Sequence, residues 1–160
     1  MIRAAVPAET STLVALGVAT GLFTEDEADL LLRGVLDDLH GGRLGVDHHA
    51  VVWCDEEGSQ PAGWAYFALH EKADRVWDLW WIGVDPARHG QGGGDALMDA
   101  VEREVRARGG RLLIIETSAL PPTARARRFY ERRGFSSCGR VPDFYGDGDD
   151  KMIYAARMPG

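Results

Sequence analysis

Apolar residues recur at helical spacing in two stretches near the start of the chain. The first predicts a helix over residues 9–19. The second begins at a capping box, in which Glu27 follows Thr24 by three residues, and it stops at Gly41-Gly42. Its one-sided apolar stripe predicts packing against a core and consists of Ala28, Leu31, Leu32, Val35, Leu36 and Leu39.

Shorter apolar runs bounded by turn residues predict strands along the rest of the chain. Seven such runs cover residues 1–6, 50–54, 61–69, 75–84, 111–117, 135–141 and 151–158. The three runs between residues 50 and 84 are separated by short turns and predict an antiparallel meander. The last two runs are joined by an acidic, glycine-rich loop over residues 145–150. His48-His49, which precedes the second run, is expected in a solvated loop.

Two further helices are predicted in the second half of the chain. The first covers residues 95–108, between the strands at 75–84 and 111–117. Because strand, helix and strand follow one another, this unit predicts a right-handed parallel crossover. The second helix begins at Pro121-Pro122 and runs to Arg133, with Gly134 as its cap.

The turn before the crossover helix is unusually rich in glycine and reads His89-Gly90-Gln91-Gly92-Gly93-Gly94. Free backbone N–H groups at the start of a helix, together with the helix dipole, bind phosphate. The turn lacks the Gly-Lys-Ser/Thr of a Walker loop. It also misses the third glycine of a dinucleotide fingerprint, which falls on Asp95 or Leu97. Glu116 lies about where a ribose-binding acid would follow, so a nicotinamide-binding enzyme stays open as an alternative.

Composition narrows the classes of partner. The 160 residues suit one domain, and the net charge of −7 argues against nucleic acid as a partner. The two cysteines, Cys54 and Cys138, form no CxxC and have no histidine at metal-ligand spacing, so no metal is expected. No signal-peptide core is evident, and the best apolar stretch, residues 13–23, is too short to span a bilayer. We therefore expect a cytoplasmic protein without a membrane partner.

Two motifs resemble those of one enzyme superfamily. The pattern Val84-x-Pro86-x-x-His89-x-x-Gly92-x-Gly94 resembles the acyl-CoA loop of the GNAT N-acetyltransferases. The second motif of that superfamily is similar to Thr123-x-x-Ala126-x-x-Phe129-Tyr130-x-x-x-Gly134-Phe135. Order and separation also fit, and the resemblance covers essentially the whole chain. The chain departs from the usual pattern at His89, where arginine or glutamine is common, and at Thr123, where asparagine is common.

The resemblance implies a fold and an activity. The fold is α/β (α+β), with a mixed, mostly antiparallel central sheet, one parallel and splayed strand pair, and flanking helices. The activity is transfer of an acetyl group from acetyl-CoA to a primary amine, by direct attack in a ternary complex. The acceptor would be a small amine, an amino acid or a peptide N-terminus, and the protein would be a monomer or a homodimer. A non-catalytic acyl-CoA-binding regulatory module is the alternative.

The resemblance also assigns cofactor contacts. The splayed strands would be residues 79–84 and 112–117, with the pantetheine arm along Ile82, Gly83 and Val84. The pyrophosphate would lie on the amides of the glycine turn. The remaining cofactor-binding residues implied are His89, Gly90, Gln91, Gly92, Gly93, Gly94, Asp95, Thr123, Ala126 and Arg133.

Acetyl transfer also needs two proton movements. An alkyl amine with a pKa near ~10.4 must lose a proton before it attacks, and Asp78 and Glu116 are the candidate bases. Tyr130 matches the superfamily position that often protonates the departing thiolate. Each has a structural alternative: Tyr130 as a core aromatic, and each carboxylate as a strand-end group in an ordinary hydrogen bond.

Aromatic residues offer a wall for a cationic amine through cation–π attraction. Of these we expect at least Trp77 to belong to the core instead. The candidates are Trp77, Trp80, Trp81, Phe144 and Tyr145.

Overall fold

The computed structural model describes residues 1–159, and a seven-stranded sheet forms its centre. Its strands are β1 Ile2–Ala4, β2 His48–Trp53, β3 Gly63–Leu69, β4 Val76–Val84, β5 Leu112–Ser118, β6 Ser136–Gly146 and β7 Asp149–Arg157. They lie in the order β1-β2-β3-β4-β5-β7-β6. Every neighbouring pair is antiparallel except β4 and β5, which are parallel. The predicted mixed, mostly antiparallel sheet is confirmed.

Five α-helices flank this sheet. They are α1 Thr10–Ala19, α2 Glu25–Ala28, α3 Gly34–His40, α4 Gly93–Ala107 and α5 Ala124–Arg132. The capping box at the start of α2 is confirmed: the Glu27 amide donates to the Thr24 hydroxyl at 3.2 Å, and the Thr24 amide donates to the Glu27 carboxylate at 3.3 Å. None of the helices formed by residues 1–159 is long and apolar enough to cross a bilayer.

A π-helical turn, Asp29–Arg33, joins α2 to α3 and changes which side chains face the core. Ala28, Leu32 and Leu36 are buried, as predicted for the apolar stripe. Leu31 was predicted on the same stripe, yet it is 54% exposed. The prediction for Leu31 is wrong because a π turn is wider than an α turn and shifts the phase of the residues within it.

The sheet carries a hydrophobic core on each face. Against α4 and α5 lie Phe67, Trp77 and Leu113, with Trp77 only 1% exposed, as predicted. Against α1 to α3 lie Trp64 and Trp81. β4 supplies side chains to both cores, Trp77 and Leu79 to the first and Trp81 to the second, because an extra residue at Trp80 interrupts the strict alternation of the strand. This double burial fixes β4 in place.

The parallel pair β4–β5 separates halfway along its length. Pairing runs from Val76 opposite Leu112 to Leu79 opposite Ile115 and then stops. Beyond that point β4 stays paired with β3, and β5 stays paired with β7, so each strand follows a different neighbour. A bulge in β4 leaves Trp80 without a partner on β3. The predicted splayed pair is confirmed, and it leaves one backbone edge of β4 unpaired.

Two segments predicted as loops belong to strands. β2 begins at His48, whose Nδ1 lies 2.5 Å from the Tyr66 hydroxyl, while the ring of His49 stacks 5.2 Å from that of Phe67 on the opposite face. In the last hairpin, residues 145–150 were predicted as a loop. The observed strands leave only Asp147 and Gly148 between them, although their register is interrupted between Val141 and Gly146.

The burial of His49 predicts a pH-dependent stability. Its Nε2 is buried without a hydrogen-bond partner among residues 1–159, and burial lowers its pKa below 6.5, with Arg108 adding to the effect. At low pH the unfolded chain therefore binds a proton that the folded chain resists. The folded state keeps its full stability above the pKa that His49 has in the unfolded chain. It loses stability as the pH falls through that pKa toward the lower pKa of His49 in the folded chain.

Urea denaturation between about pH 7.5 and 5.5 measures this loss. The variant His49→Phe keeps a ring against Phe67 and Trp77 but carries no titratable group. It should show a shallower decline than the native chain over this range. Equal declines in both proteins would contradict the assignment to His49.

Candidate functional site

A groove of about 700 Å³ runs from the unpaired end of β4, past the glycine turn, to α5. Its volume lies within the usual range for small-molecule sites, about 300–1,000 Å³. Most of the residues implied by the resemblance line it: Ile82, Gly83, Val84, His89, Gly90, Gly92, Gly93, Gly94, Asp95, Ala126 and Tyr130. Five do not: Asp78, Gln91, Glu116, Thr123 and Arg133.

The glycine turn presents free amides to the groove. Gly92 caps α4 with a φ of +84°, a conformation that side-chain-bearing residues rarely adopt. The first helical bond is donated by Ala96 to the Gly92 carbonyl. The amides of Gly93, Gly94 and Asp95 therefore have no acceptor within the helix, and the dipole adds positive potential there. The arrangement suits a phosphate group.

The glycine turn is anchored to the end of β2. A Cβ at Gly93 would lie 2.5 Å from Cε3 of the buried Trp53 ring, so only glycine allows this approach. The Arg88 guanidinium lies 5.7 Å from the Trp53 ring, forms an ion pair with Asp55 and donates to Gln91 Oε1 at 3.0 Å. Gln91 thus contacts the loop itself, and Arg88 also lines the groove.

Tyr130 lies between a core and the groove. Only 6% of it is exposed, and its ring packs against those of Phe135 and Tyr154 at 6.3 and 5.8 Å. Burial raises the pKa of Tyr130 far above its ordinary value, and Tyr154 adds to the shift. The phenol is therefore protonated at any physiological pH. Tyr130 therefore packs in the core and also lines the groove, so a structural role does not exclude a chemical one.

The two candidate bases occupy different parts of the β4–β5 pair. Asp78 lies where the strands are still paired, and its carboxylate is 2.8 Å from His70 Nδ1. Glu116 is the first β5 residue beyond the last pair; its side chain is 49% exposed and lies 2.8 Å from the Lys151 ammonium. Of the two carboxylates, only that of Glu116 lies where the strands diverge.

Two residues implied as cofactor contacts have structural partners instead. The Thr123 hydroxyl is buried and donates to the carbonyls of Ser118 and Leu120, at 2.6 and 2.9 Å. Arg133 connects α5 to α4 through the carboxylates of Asp95, Asp99 and Glu102, at 3.3, 2.6 and 3.2 Å. Neither residue lines the groove, and each side chain has its partners within the protein.

Three arginines of α5 that the resemblance does not implicate also line the groove: Arg125, Arg128 and Arg132. Their spacing of three and four residues places them on one side of α5, a signal readable from the sequence. Thr20 and Leu22, which follow α1, line the groove as well. Nothing in the local sequence of these two residues indicates that position.

Exposed aromatic residues lie on β4 and on the last hairpin, the elements on either side of the strand β5 that carries Glu116. Trp80 is 68% exposed at the bulge of β4, where the strands diverge, and Phe144 and Tyr145 are exposed on the last hairpin. Lys151 lies 3.5 Å from the Phe144 ring centroid. Burial raises the pKa of Tyr145, and the carboxylates of Glu116 and Asp149 add to the shift. In contrast, Trp77 is buried in one core, as expected, and the wall candidate Trp81 is buried in the other.

The chain matches the sequence model of the "Acetyltransferase (GNAT) family" over residues 20–135. A protein of the GNAT family from Desulfovibrio desulfuricans has a very similar structure, with a TM-score of 0.89 and 35% sequence identity. The match covers 99% of both chains. No curated protein matches the sequence.

More distant structures share the fold. An aminoglycoside 6′-N-acetyltransferase complexed with coenzyme A has a TM-score of 0.78 at 17% identity, covering 100% of this chain and 98% of its own. The ribosomal-protein-S18-alanine N-acetyltransferase from Escherichia coli has a TM-score of 0.72 at 20% identity, covering 100% and 94%. At such identities the likeness concerns the fold alone.

The close approach of Gly93 to Trp53 predicts a sharp difference between two adjacent glycines. Gly93→Ala should destabilise the protein by about 1–3 kcal/mol, because the buried indole cannot move aside. Gly94→Ala is the matched control, since its Cβ would lie 3.6 Å from Phe129, an ordinary contact. Its stability should stay within about 0.5 kcal/mol of the native chain. Urea denaturation measures both, and equal losses would contradict the model of the anchored turn.

Proposed function

The chain belongs to the GNAT acetyltransferase family, and on that premise we propose that it acetylates a primary amine by direct attack in a ternary complex. One observation carries the proposal: a single groove joins free helix amides, an unpaired strand edge and a buried, protonated tyrosine. Acetyl-CoA, when bound, supplies an acetyl group activated as a thioester. The acceptor amine supplies the nucleophile.

The chemistry of the groove suits acetyl-CoA. The amides of Gly93, Gly94 and Asp95 would hold the pyrophosphate, with Gly90 and His89 beside them. The free edge of β4 from Ile82 to Val84 offers backbone donors and acceptors to the amide-bearing pantetheine arm. Ala126 on α5 keeps the groove open with a small side chain.

We assign the role of general acid to Tyr130. Its hydroxyl makes no side-chain hydrogen bond among residues 1–159, and the residue lines the groove. Because a tyrosine phenol is protonated at neutral pH, Tyr130 holds a proton that the departing sulfur can take. A thiolate leaving group is better stabilised by such a nearby acid than by water in a partly closed groove.

We assign the role of general base to Glu116, with Asp78 as the second candidate. The Glu116 carboxylate lies beside the point where β4 and β5 diverge, so it can take a proton from an arriving ammonium directly or through a water. Asp78 ranks second because it lies where the strands are still paired; each carboxylate has one basic neighbour, His70 for Asp78 and Lys151 for Glu116.

The acceptor would approach over the exposed aromatic residues of β4 and the last hairpin. Aromatic faces attract a cation, and the Lys151 ammonium near the Phe144 ring is an example within this chain. A small amine, an amino acid or a peptide N-terminus all suit this surface. The structural neighbours act on acceptors as different as aminoglycosides and a ribosomal protein, so the fold does not select among them.

Release of free thiol from acetyl-CoA over a panel of amines tests the proposed activity. The native chain should release thiol with at least one amine, and acetyl-CoA should raise its melting temperature while NAD should not. A protein that is stabilised by acetyl-CoA yet releases no thiol with any amine would instead be an acyl-CoA-binding module. Absence of stabilisation by acetyl-CoA would refute the proposal.

Tyr130→Phe should lower kcat by roughly 10²–10⁴-fold, because the ring is kept and only the transferable proton is lost. Binding of CoA should change little, and calorimetry checks this. Tyr154→Phe is the matched control: Tyr154 is a buried neighbour with a raised pKa, but its hydroxyl contacts Glu131 at 3.3 Å, and it does not line the groove. Equal activities of the two variants would argue against an acid role.

Replacing each carboxylate by its amide decides between the two bases. Glu116→Gln should reduce kcat/KM at neutral pH by roughly 10²-fold or more. The deficit should narrow as the pH approaches the amine pKa of about 10.4, since the acceptor then needs no base. Asp78→Asn should change kcat/KM much less. A larger loss of kcat/KM in Asp78→Asn than in Glu116→Gln would assign the role of general base to Asp78.

A further inference from the structure

Helix α5 and the residue after it are strongly basic in a chain that is otherwise acidic. Between Ala124 and Arg133 there are five arginines and one glutamate, although the whole chain has a net charge of −7. Like charges crowded on one helix repel one another, so their concentration needs an explanation. The partners of each arginine show which of them serve the protein itself.

Two of the five arginines hold the fold together. Arg127 donates to the backbone carbonyls of Ala119 and Leu120, at 3.0 and 2.9 Å, and so secures the loop before α5. Arg133 joins the end of α5 to α4 through ion pairs with Asp99 and Glu102. Neither Arg127 nor Arg133 lines the groove.

The other three arginines point toward the groove, and two of them lack partners. Arg132 lies 3.5 Å from an Asp95 oxygen and 5.4 Å from the Phe129 ring. Arg125 and Arg128 line the groove and make no ion pair or side-chain hydrogen bond within residues 1–159. Both are exposed, so their guanidinium groups are available to a ligand.

The glycine turn can accept the pyrophosphate without these arginines. Its free amides supply the donors, and the nearby Asp95 carboxylate is neutralised by Arg132 and Arg133. Coenzyme A carries one more phosphate, the monoester at the 3′ position of its ribose. This group is dianionic near neutral pH, and a guanidinium binds phosphate oxygens in a two-point geometry that lysine cannot match.

We propose that Arg125 and Arg128 bind the 3′-phosphate of coenzyme A and make the enzyme select the phosphorylated cofactor over 3′-dephospho-CoA. The inference rests on the proposed function, since it concerns the same groove and the same cosubstrate. It adds a specificity determinant on α5 to a site whose other contacts are mostly backbone. It also explains why the basic residues of an acidic chain gather on this helix.

Binding of CoA and 3′-dephospho-CoA, measured by calorimetry, tests the proposal without relying on turnover. The native chain should bind CoA about tenfold or more tightly than dephospho-CoA, as expected for charge-assisted hydrogen bonds at an exposed site. The double variant Arg125→Gln/Arg128→Gln should bind CoA about tenfold more weakly than the native chain does. Its affinity for dephospho-CoA should equal that of the native chain. Both positions are exposed on the helix, so the substitutions should leave the melting temperature unchanged.

Arg103→Gln is the matched control, because Arg103 is an exposed arginine of α4 that does not line the groove. It removes one positive charge, against two in the double variant, and should keep the native preference. Equal binding of the two ligands by the native chain would overturn the inference while leaving the acetyltransferase proposal standing. The inference would also be overturned if the double variant lost affinity equally for CoA and dephospho-CoA, or if it kept the native preference for CoA. Failure of the native chain to bind either ligand would overturn both proposals.

Discussion

The site depends on the interruption of one strand pairing. β4 and β5 are joined only from Val76 to Leu79, and beyond that each strand keeps its other neighbour. The bulge at Trp80 increases the local twist of β4 and turns it away from β5. Because both faces of the sheet bury large side chains, β4 cannot move back to close the gap. The unpaired edge of β4 is therefore a stable feature of the folded chain.

The same packing that stabilises the fold also positions the phosphate-binding end of the groove. The buried Trp53 ring contacts Gly93, and the Arg88 guanidinium lies over that ring with Asp55 as its ion-pair partner. Helix α4 therefore begins at a defined place relative to the end of β2. A backbone amide binds an anion well only when it is held in advance, since ordering a loose glycine segment would cost conformational entropy. Stability and cofactor binding are thus linked through one contact.

Charge differs between the groove and the surface beside it where the strands diverge. Arginines of α5 line the groove, while Glu116 and the exposed Trp80 lie just past the last β4–β5 pair. An anionic cosubstrate would meet the positively charged surface, and a cationic acceptor would meet the negatively charged and aromatic surface. The division also separates roles within α5, since Arg127 and Arg133 stabilise the helix and its neighbours.

The sequence by itself determined the elements and their order: the capping box at Thr24, the meander, the crossover around the glycine turn and the family motifs. These features are local, because hydrogen-bonding partners three residues apart and apolar periods of two or 3.6 residues are written into short stretches. Only the tertiary structure decided what individual side chains contact. Arg133 meets acids that precede it by more than thirty residues, and Glu116, unlike Asp78, lies past the last β4–β5 pair. Helical spacing shows that residues share a face but not which neighbour that face meets. Strand alternation likewise cannot show where two paired strands part, so these choices depended on packing between distant segments.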